Sequence, residues 1–369
     1  MKRNHTKMKR PPRRGATLIL SVFLIFIVAA MVAFAVDIGQ VVLMRTQLQV
    51  AADSAAMAAG TVNMTRSADE VIATARQFSD YHTAGGKQIS LDPSDVEFGC
   101  WDYSRRTFTP TVFSVNAVRV TTRRWAETDS ESPLVFGKLM GVGAFSMETK
   151  AVAAFVENFI GFQPPSSGDG VPMLPIAIDQ ESWAALETGG SSDAWTWDEE
   201  TQQVIPVSDG LSEVNIYPQD TGAAGNCGTV DIGPDNNSTA DLRRQILDGL
   251  SAEDLSYHGG ELALEPGGAL ELGGDPGLSA GIESALEAVI GQPRIVPVYS
   301  QVSGSGNNAR YTIVGFAGIR VMDVNLSGNK KDKRLTVQRA TVVVRGGIPS
   351  WDSDVRTSRD IVSPSVLVQ

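Results

Sequence analysis

Ala16 to Val36, ATLILSVFLIFIVAAMVAFAV, is a run of 21 residues without a charge. A helix needs about 20 apolar residues to cross a bilayer, so this run is long enough to span one. Its flanks set a direction. Lys2, Arg3, Lys7, Lys9, Arg10, Arg13 and Arg14 precede it with no acid among them, whereas Asp37 follows it and the next cation is Arg45. The positive-inside rule then leaves the N-terminus in the cytoplasm and about 330 residues outside. The expected location is the cytoplasmic (inner) membrane, with the bulk of the chain periplasmic.

A second processing route stays open. Ala33-Phe34-Ala35 is an A-x-A site behind a basic region and an apolar run, as in a signal peptide. Cleavage after Ala35 would release a secreted or periplasmic enzyme or ligand-binding protein. Against it, the apolar run exceeds the usual 7–15 residues and the helix pattern continues past the site. Arg13-Arg14 lacks the rest of a twin-arginine signal and reads as membrane flank.

Charge and composition exclude several classes. The chain has 31 Lys+Arg against 42 Asp+Glu in 369 residues. With the seven basic residues of the N-terminal segment set aside, the remainder is strongly acidic, a poor match for a polyphosphate, which disfavours nucleic-acid binding. Three His and two Cys rule out Cys/His zinc clusters and disulfide-dense scaffolds. No haem-attachment motif or Walker-type loop is present, so no cofactor is expected. The length allows about two globular units.

The helix pattern does not end with the apolar run. Val41, Met44, Leu48, Ala51, Ala55, Ala58 and Val62 follow an alternating 3,4 spacing, a heptad seam. Gln49 and Asp53 lie at i, i+4 and can meet. One helix from about Ala16 to Ala59 would be roughly 65 Å long. Its alanine-rich outer half lets another helix or a sheet approach closely. Two covers are open: the chain's own globular domain, or a pilin-like helix of another molecule. A spanning helix that runs on as an amphipathic stalk under a head domain is a pilin-like layout.

Arg13-Arg14-Gly15, the apolar span, Ala35-Val36-Asp37-x-Gly39, and Leu48-Gln49-x-Ala51-Ala52-Asp53-x-Ala55-Ala56-x-Ala58-Ala59 together closely resemble the N-terminal segment of Tad-like proteins. These are the TadE/TadG-type components associated with Flp (tight-adherence) pilus assembly, and the resemblance covers about the first 60 residues. It implies a TadG-like, membrane-anchored envelope protein with a structural role in adhesion machinery, not an enzyme. Its implied partners are other pilus-assembly or pilin-like proteins. Two departures bound the implication. Prepilin-type processing prefers a Glu five residues after the Gly, where this chain has Leu20. The metal motif Asp-x-Ser-x-Ser of some larger members is absent, and Asp129-Ser130-Glu131-Ser132 does not fit it.

Beyond the stalk the patterns alternate between helix and strand, so the fold class is α+β. Ser67-Ala68-Asp69-Glu70 is a capping box that opens a helix through about Tyr81. Strands are expected at Val96–Trp101, Thr107–Phe113, Val115–Trp125 and Ala144–Val156, with a short helix at Pro133–Leu139. Gln163 to Gly170, QPPSSGDG, reads as a linker. Further strands are expected at Met173–Ile178, Ala194–Trp197, Gln203–Pro206, Glu213–Tyr217, Arg294–Val302, Tyr311–Val324 and Arg334–Val344. Helices are expected at Gln180–Glu187, capped by Asp179, at Thr239–Leu250, capped by Ser238, and at Ser279–Ile290. Leu262–Gly277 reads as turns with short extended pieces. The organisation is 1–14 basic cytoplasmic, 15–36 span, 37–64 alanine-rich helix, 65–162 membrane-proximal α+β, and 163–369 distal α+β. The distal stretch holds 28 acids against 13 bases.

Five local patterns bear on function. Gly277-Leu278-Ser279-Ala280-Gly281 matches a G-x-S-x-G elbow, but that fold needs a His after the Ser, and His5, His82 and His258 all precede it. Gly273 to Pro276 also reads as a turn where the elbow needs a strand, so Ser279 is better read as an N-cap. Gly304-x-Gly306-x-x-Ala309 is followed by a strand pattern and reads as a hairpin loop, not a dinucleotide site. Asp231 and Asp235 lack the ligand run of a calcium loop. Cys100 and Cys227 would lie in an oxidising compartment, where a pair often forms a disulfide. Trp183, Trp195 and Trp197 fall in one short region and read as core or rim packing.

Overall fold

The computed structural model describes residues 16–63, 67–124, 132–133, 137, 144–189, 192–217, 227–234, 237–304, 306–329, 331–350 and 355–369. Its contacts divide into two units, Met1–Ala153 with Leu367–Gln369, and Ala154–Val366. Arg13, Arg14, Gly15, Asp235, Asp129 to Glu131 and most of the expected helix Pro133–Leu139 lie outside the described residues.

The first unit opens with α1 (Ala16–Asn63), a single helix of 48 residues. It passes unbroken through Ala33-Phe34-Ala35 and Gly39, where no atom other than its neighbours would come within 4 Å of an added Cβ. The helix α2 (Ala68–Asp80) begins with the expected capping box, in which Glu70 Oε2 accepts from Ser67 N at 3.0 Å. Its buried positions Val71, Ala75 and Ser79 recur every four residues, one helical face. A tight hairpin follows, β1 (Thr83–Ala84) with β2 (Lys87–Gln88). Gly85 and Gly86 take φ of +60° and +78° in its turn, as a two-residue hairpin loop requires.

The sheet of this unit contains β3 (Val96–Asp102), β4 (Thr107–Pro110), β5 (Ala117–Arg124) and β6 (Met147–Ala154). Val96 sits opposite Val120 and Phe98 opposite Val118 in the antiparallel β3–β5 pair. Leu367–Gln369 return to its edge, where Val152 N donates to Gln369 O at 2.9 Å. The core is built from Ala52, Ala55, Ala56, Ala59, Val71, Ala75, Val118, Val120, Ala151 and Ala153 among others. So many alanines mean that helix and sheet meet nearly backbone to backbone.

That core decides between the two covers left open for the alanine face: the chain's own unit takes it. The buried face also drifts from the heptad seam. Ala58 and Val62 are only half-buried, while Ala52, Ala56 and Ala59 are fully buried. A straight α-helix turns 3.6 residues per turn and departs from a 3.5 repeat by about 20° per heptad, which moves the contact to later positions.

The second unit is organised around a closed ring of strands. These are β8 (Ile176–Asp179), β10 (Cys227–Val230), β11 (Leu270–Pro276), β12 (Pro293–Ser303) and β13 (Ala309–Asn325), with β7 (Phe159–Phe162), β9 (Glu213–Tyr217) and β14 (Arg334–Arg339) outside it. Around the ring, Ile178 pairs with Cys227, Thr229 with Asp275, Leu272 with Tyr311, Val296 with Ala317, and Val298 with Ile178. Only the last pair of strands is parallel. The 17-residue β13 is long enough to leave the ring and pair with β14, which carries β9. Two core clusters lie on the two faces. Ile176 and Ile178 join one with α3 (Gln180–Thr188) and α4 (Thr239–Asp248), while Ala177 joins the other with Phe159 and Phe162.

Several expectations need correction. The first unit ends at Ala153, not at Phe162, because β7 pairs with Leu262–Ala263 and Gly347–Pro349 of the second unit. The loop from Gln163 is therefore internal to that unit, and Gln163 N donates to Gly346 O at 2.8 Å. Leu270–Pro276 is a ring strand, not a turn. Its Gly274 is there for room, since an added Cβ would lie 2.2 Å from Thr229 O. The expected helix Ser279–Ile290 is a 3-10 turn, Ala280–Ile282, followed by the short helix Glu283–Ala288. Cys100 lies in the first unit and Cys227 in the second. Cys227 is enclosed in the core of the second unit, where burial and the nearby Asp179 charge push its thiol well above the ordinary range.

Candidate functional site

The described family-motif residues, from Asp37 to Ala59, fall along one stretch of α1, and most of them are buried in their own unit. Asp37 is buried, and its Oδ2 accepts from Gly137 N at 2.8 Å. Leu48 is buried with Met44, Ala51, Ala84 and Ile89. Gln49 Nε2 donates to Asp53 Oδ1 at 2.8 Å, the i, i+4 pair expected from the sequence, and to Lys150 O at 3.1 Å. Ala51, Ala52, Ala55 and Ala56 have no exposed surface. The motif is thus a clamp: its small residues bring α1 against β5 and α2, and its polar residues tie the helix to main-chain groups of Lys150 in the sheet and of Gly137.

Other members of the clamp carry no sequence signal. Thr122 and Thr149 lie in β-branched or mixed strand sequence, and Arg124 reads as an ordinary surface cation. Yet the Arg124 guanidinium is buried and donates to Ala84 O at 3.2 Å and Gln88 O at 2.8 Å, fixing the β1–β2 hairpin. Burial holds its pKa below the usual arginine value.

The constellations that could have carried chemistry resolve as structure. Ser279 Oγ accepts from Gly281 N at 3.1 Å, an N-cap. A strand does precede it, contrary to expectation, but the histidine order still leaves no base behind it. Gly306–Asn308 is a 3-10 turn closing the β12–β13 hairpin. Asp231 is held above the usual aspartate pKa by burial. One acidic group escaped the sequence reading: carboxylate oxygens of Asp193, Asp209 and Glu213 lie within 4.8 Å of one another. Gln338 Nε2 sits among them, donating to Asp209 Oδ1 at 3.1 Å and Glu213 Oε1 at 3.2 Å. A groove of about 350 Å³ in the second unit has Trp183, Val298 and Phe316 in its lining, with Arg356, Arg359 and Glu187 alongside. Arg359 and Glu187 already pair at 3.2 Å.

The fold and the clamp together define a class: an α+β protein led by one long helix that is apolar in its first half and packed on its own domain in its second. By length and composition Thr17–Val62 could cross a membrane. Residues 15–66 match the family described as "Putative Flp pilus-assembly TadE/G-like", and residues 51–153 match "Putative Tad-like Flp pilus-assembly". Together the two matches run from residue 15 to residue 153, and that stretch ends at the boundary of the first unit. No curated protein and no solved structure matches the chain.

Proposed function

We propose that this chain is a membrane-anchored, TadG-like component of Flp pilus assembly, with its N-terminus in the cytoplasm and both folded units in the periplasm. Its role is structural: α1 tethers the first unit, and the clamp makes tether and unit one rigid piece. The second unit, with its excess of acids, is then the part offered to other pilus-assembly or pilin-like proteins. One observation carries this reading. Among residues 17–36 only Ala33 is buried, while one face of the same helix is buried from Met44 onward. A helix exposed along its apolar half and packed along its small-residue half suits an anchor, not a core helix.

The test is fractionation of the full-length protein with N-terminal sequencing of the mature chain. Carbonate-resistant recovery in the membrane fraction with residues 1–35 retained is expected, together with loss of surface pili on deletion. A soluble chain starting at Val36 would overturn the anchor.

A further inference from the structure

We infer that lipid, not water, covers α1 well beyond the end of its uncharged run, out to Leu43, with Arg45 and Lys87 at the level of the outer headgroups. This rests on the anchored reading proposed above. Asp37 is the residue that ends the uncharged run, yet it is only 8% exposed and bonded to Gly137. It therefore presents no free carboxylate to a bilayer and sets no boundary for one. Ala33, a turn earlier, is likewise only 9% exposed. The protein's own cover thus reaches down one side of the helix past Asp37, into the depth assigned to the membrane.

The exposed residues of the helix between Phe34 and Leu43 are all apolar or glycine. Ile38, Val42 and Leu43 are exposed, the last at 58%. The next exposed charge on α1 is Arg45. Beside it lies the β1–β2 turn: Gly85 N donates to Gln47 Oε1 at 3.0 Å, and an added Cβ on Gly85 would lie 2.6 Å from Met44 Cε. That hairpin carries the exposed Lys87. Two cations therefore flank the end of the apolar surface, where lipid phosphates would be met.

The length agrees. Ala16 to Met44 is about 42 Å of helix. Tilted by about 30°, within the range found for spanning helices, it covers roughly 36 Å. That is close to a hydrocarbon core of about 30 Å plus one interfacial layer. The first unit then rests on the outer leaflet through its β1–β2 hairpin instead of standing clear on a stalk.

The test uses the full-length chain on a Cys100→Ser background, since Cys227 is buried and shielded from labelling. Leu24→Cys, Leu43→Cys and Val112→Cys variants, all at exposed positions, receive an environment-sensitive fluorophore and enter phosphatidylethanolamine–phosphatidylglycerol vesicles. Nitroxide lipids and aqueous iodide serve as quenchers. The expected result is lipid quenching at Leu24 and Leu43, with iodide quenching at Val112 alone. Lipid quenching at Leu24 with iodide quenching at Leu43 would overturn this inference and leave the anchor standing. A label at Leu43 shielded from both quenchers would put a protein on that face and also overturn it. Iodide quenching at Leu24 would overturn the anchor itself.

Discussion

Thr122 donates its hydroxyl to the main-chain carbonyl of Leu48, 3.0 Å away and 74 residues earlier in the chain. The same hydroxyl lies 2.9 Å from Thr149 Oγ1. A carbonyl oxygen has two lone pairs, so Leu48 can accept from the strand without giving up its helical bond. Side chains from two neighbouring strands thereby fix the height and rotation of α1 on the sheet. This matters because alanine contacts alone specify position weakly along a helix.

Thr122→Val keeps the shape and removes the donor, leaving Thr149 with a buried hydroxyl short of a partner. The expected cost is about 1–3 kcal/mol, read as a lower denaturant midpoint of the full-length protein. The double variant Thr122→Val/Thr149→Val should recover part of that loss, since no orphaned hydroxyl remains. Additive losses would mean that the two hydroxyls do not act as a pair.

The alanine face offers a sharper contrast. Ala55 has no exposed surface, and Ala55→Leu must push α1 off α2 and the sheet. Overpacking of this kind costs about 1–3 kcal/mol. Val50→Leu, on the exposed side, should change stability by no more than about 0.5 kcal/mol. If Ala55→Leu left the denaturant midpoint unchanged and abolished only pilus formation, the face would belong to a partner and not to this unit.

What the sequence showed and hid follows from the range of the interactions. The long helix, the Ser67 capping box, the Gln49–Asp53 pair and the strand at Glu213–Tyr217 rest on neighbours within a few residues, and all are found. The ring in the second unit depends on pairs such as Ile178 with Val298, which no local pattern encodes. Glycine misled the reading in a specific way. At Gly273 and Gly274 it suggested a turn, yet Gly274 serves the close approach of Thr229. Gly291 similarly makes room for the Trp197 ring, which an added Cβ would meet at 1.9 Å. The clamp was half legible: its alanines were visible as a seam, but the residues that lock them, Thr122, Thr149 and Gly137, look like any others.

The second unit contains a pH-sensitive element. Arg244 joins Asp241 at 2.5 Å and Asp254 at 2.5 Å. Burial alone would raise the Asp254 carboxyl, but Arg244 and the Ser251 main-chain and hydroxyl donors outweigh it and hold the pKa below the ordinary aspartate value. A folded-state pKa below the unfolded one gives stability that is present above the unfolded value of about 3.9 and lost as pH falls through the folded one. Unfolding midpoints taken from pH 7 downward should therefore drop below about pH 4. Asp254→Asn should be destabilised at neutral pH by about 1–3 kcal/mol, because it takes one of two carboxylates from a partly exposed guanidinium that keeps Asp241. Its midpoint should then fall less steeply with acid; an equal slope would assign the acid loss to other carboxylates.

Asp37 accepts from the Gly137 amide across 100 residues, at the point where α1 leaves its uncharged run. The bond is charge-assisted and buried, a class worth about 1.5–3 kcal/mol. Asp37→Asn retains an acceptor oxygen and should keep the contact in weakened form, whereas Asp37→Leu removes it. Hydrogen–deuterium exchange of peptides covering Gly137 should accelerate in the order wild type, Asp37→Asn, Asp37→Leu. By the same free energies the step to Asp37→Leu amounts to roughly 10- to 100-fold. Exchange along α2 should not change, since its capping box and its packing on α1 are untouched. Equal exchange at Gly137 in all three proteins would show that the carboxylate does not hold the Gly137 amide, and would remove the main argument that Asp37 is hidden from the bilayer.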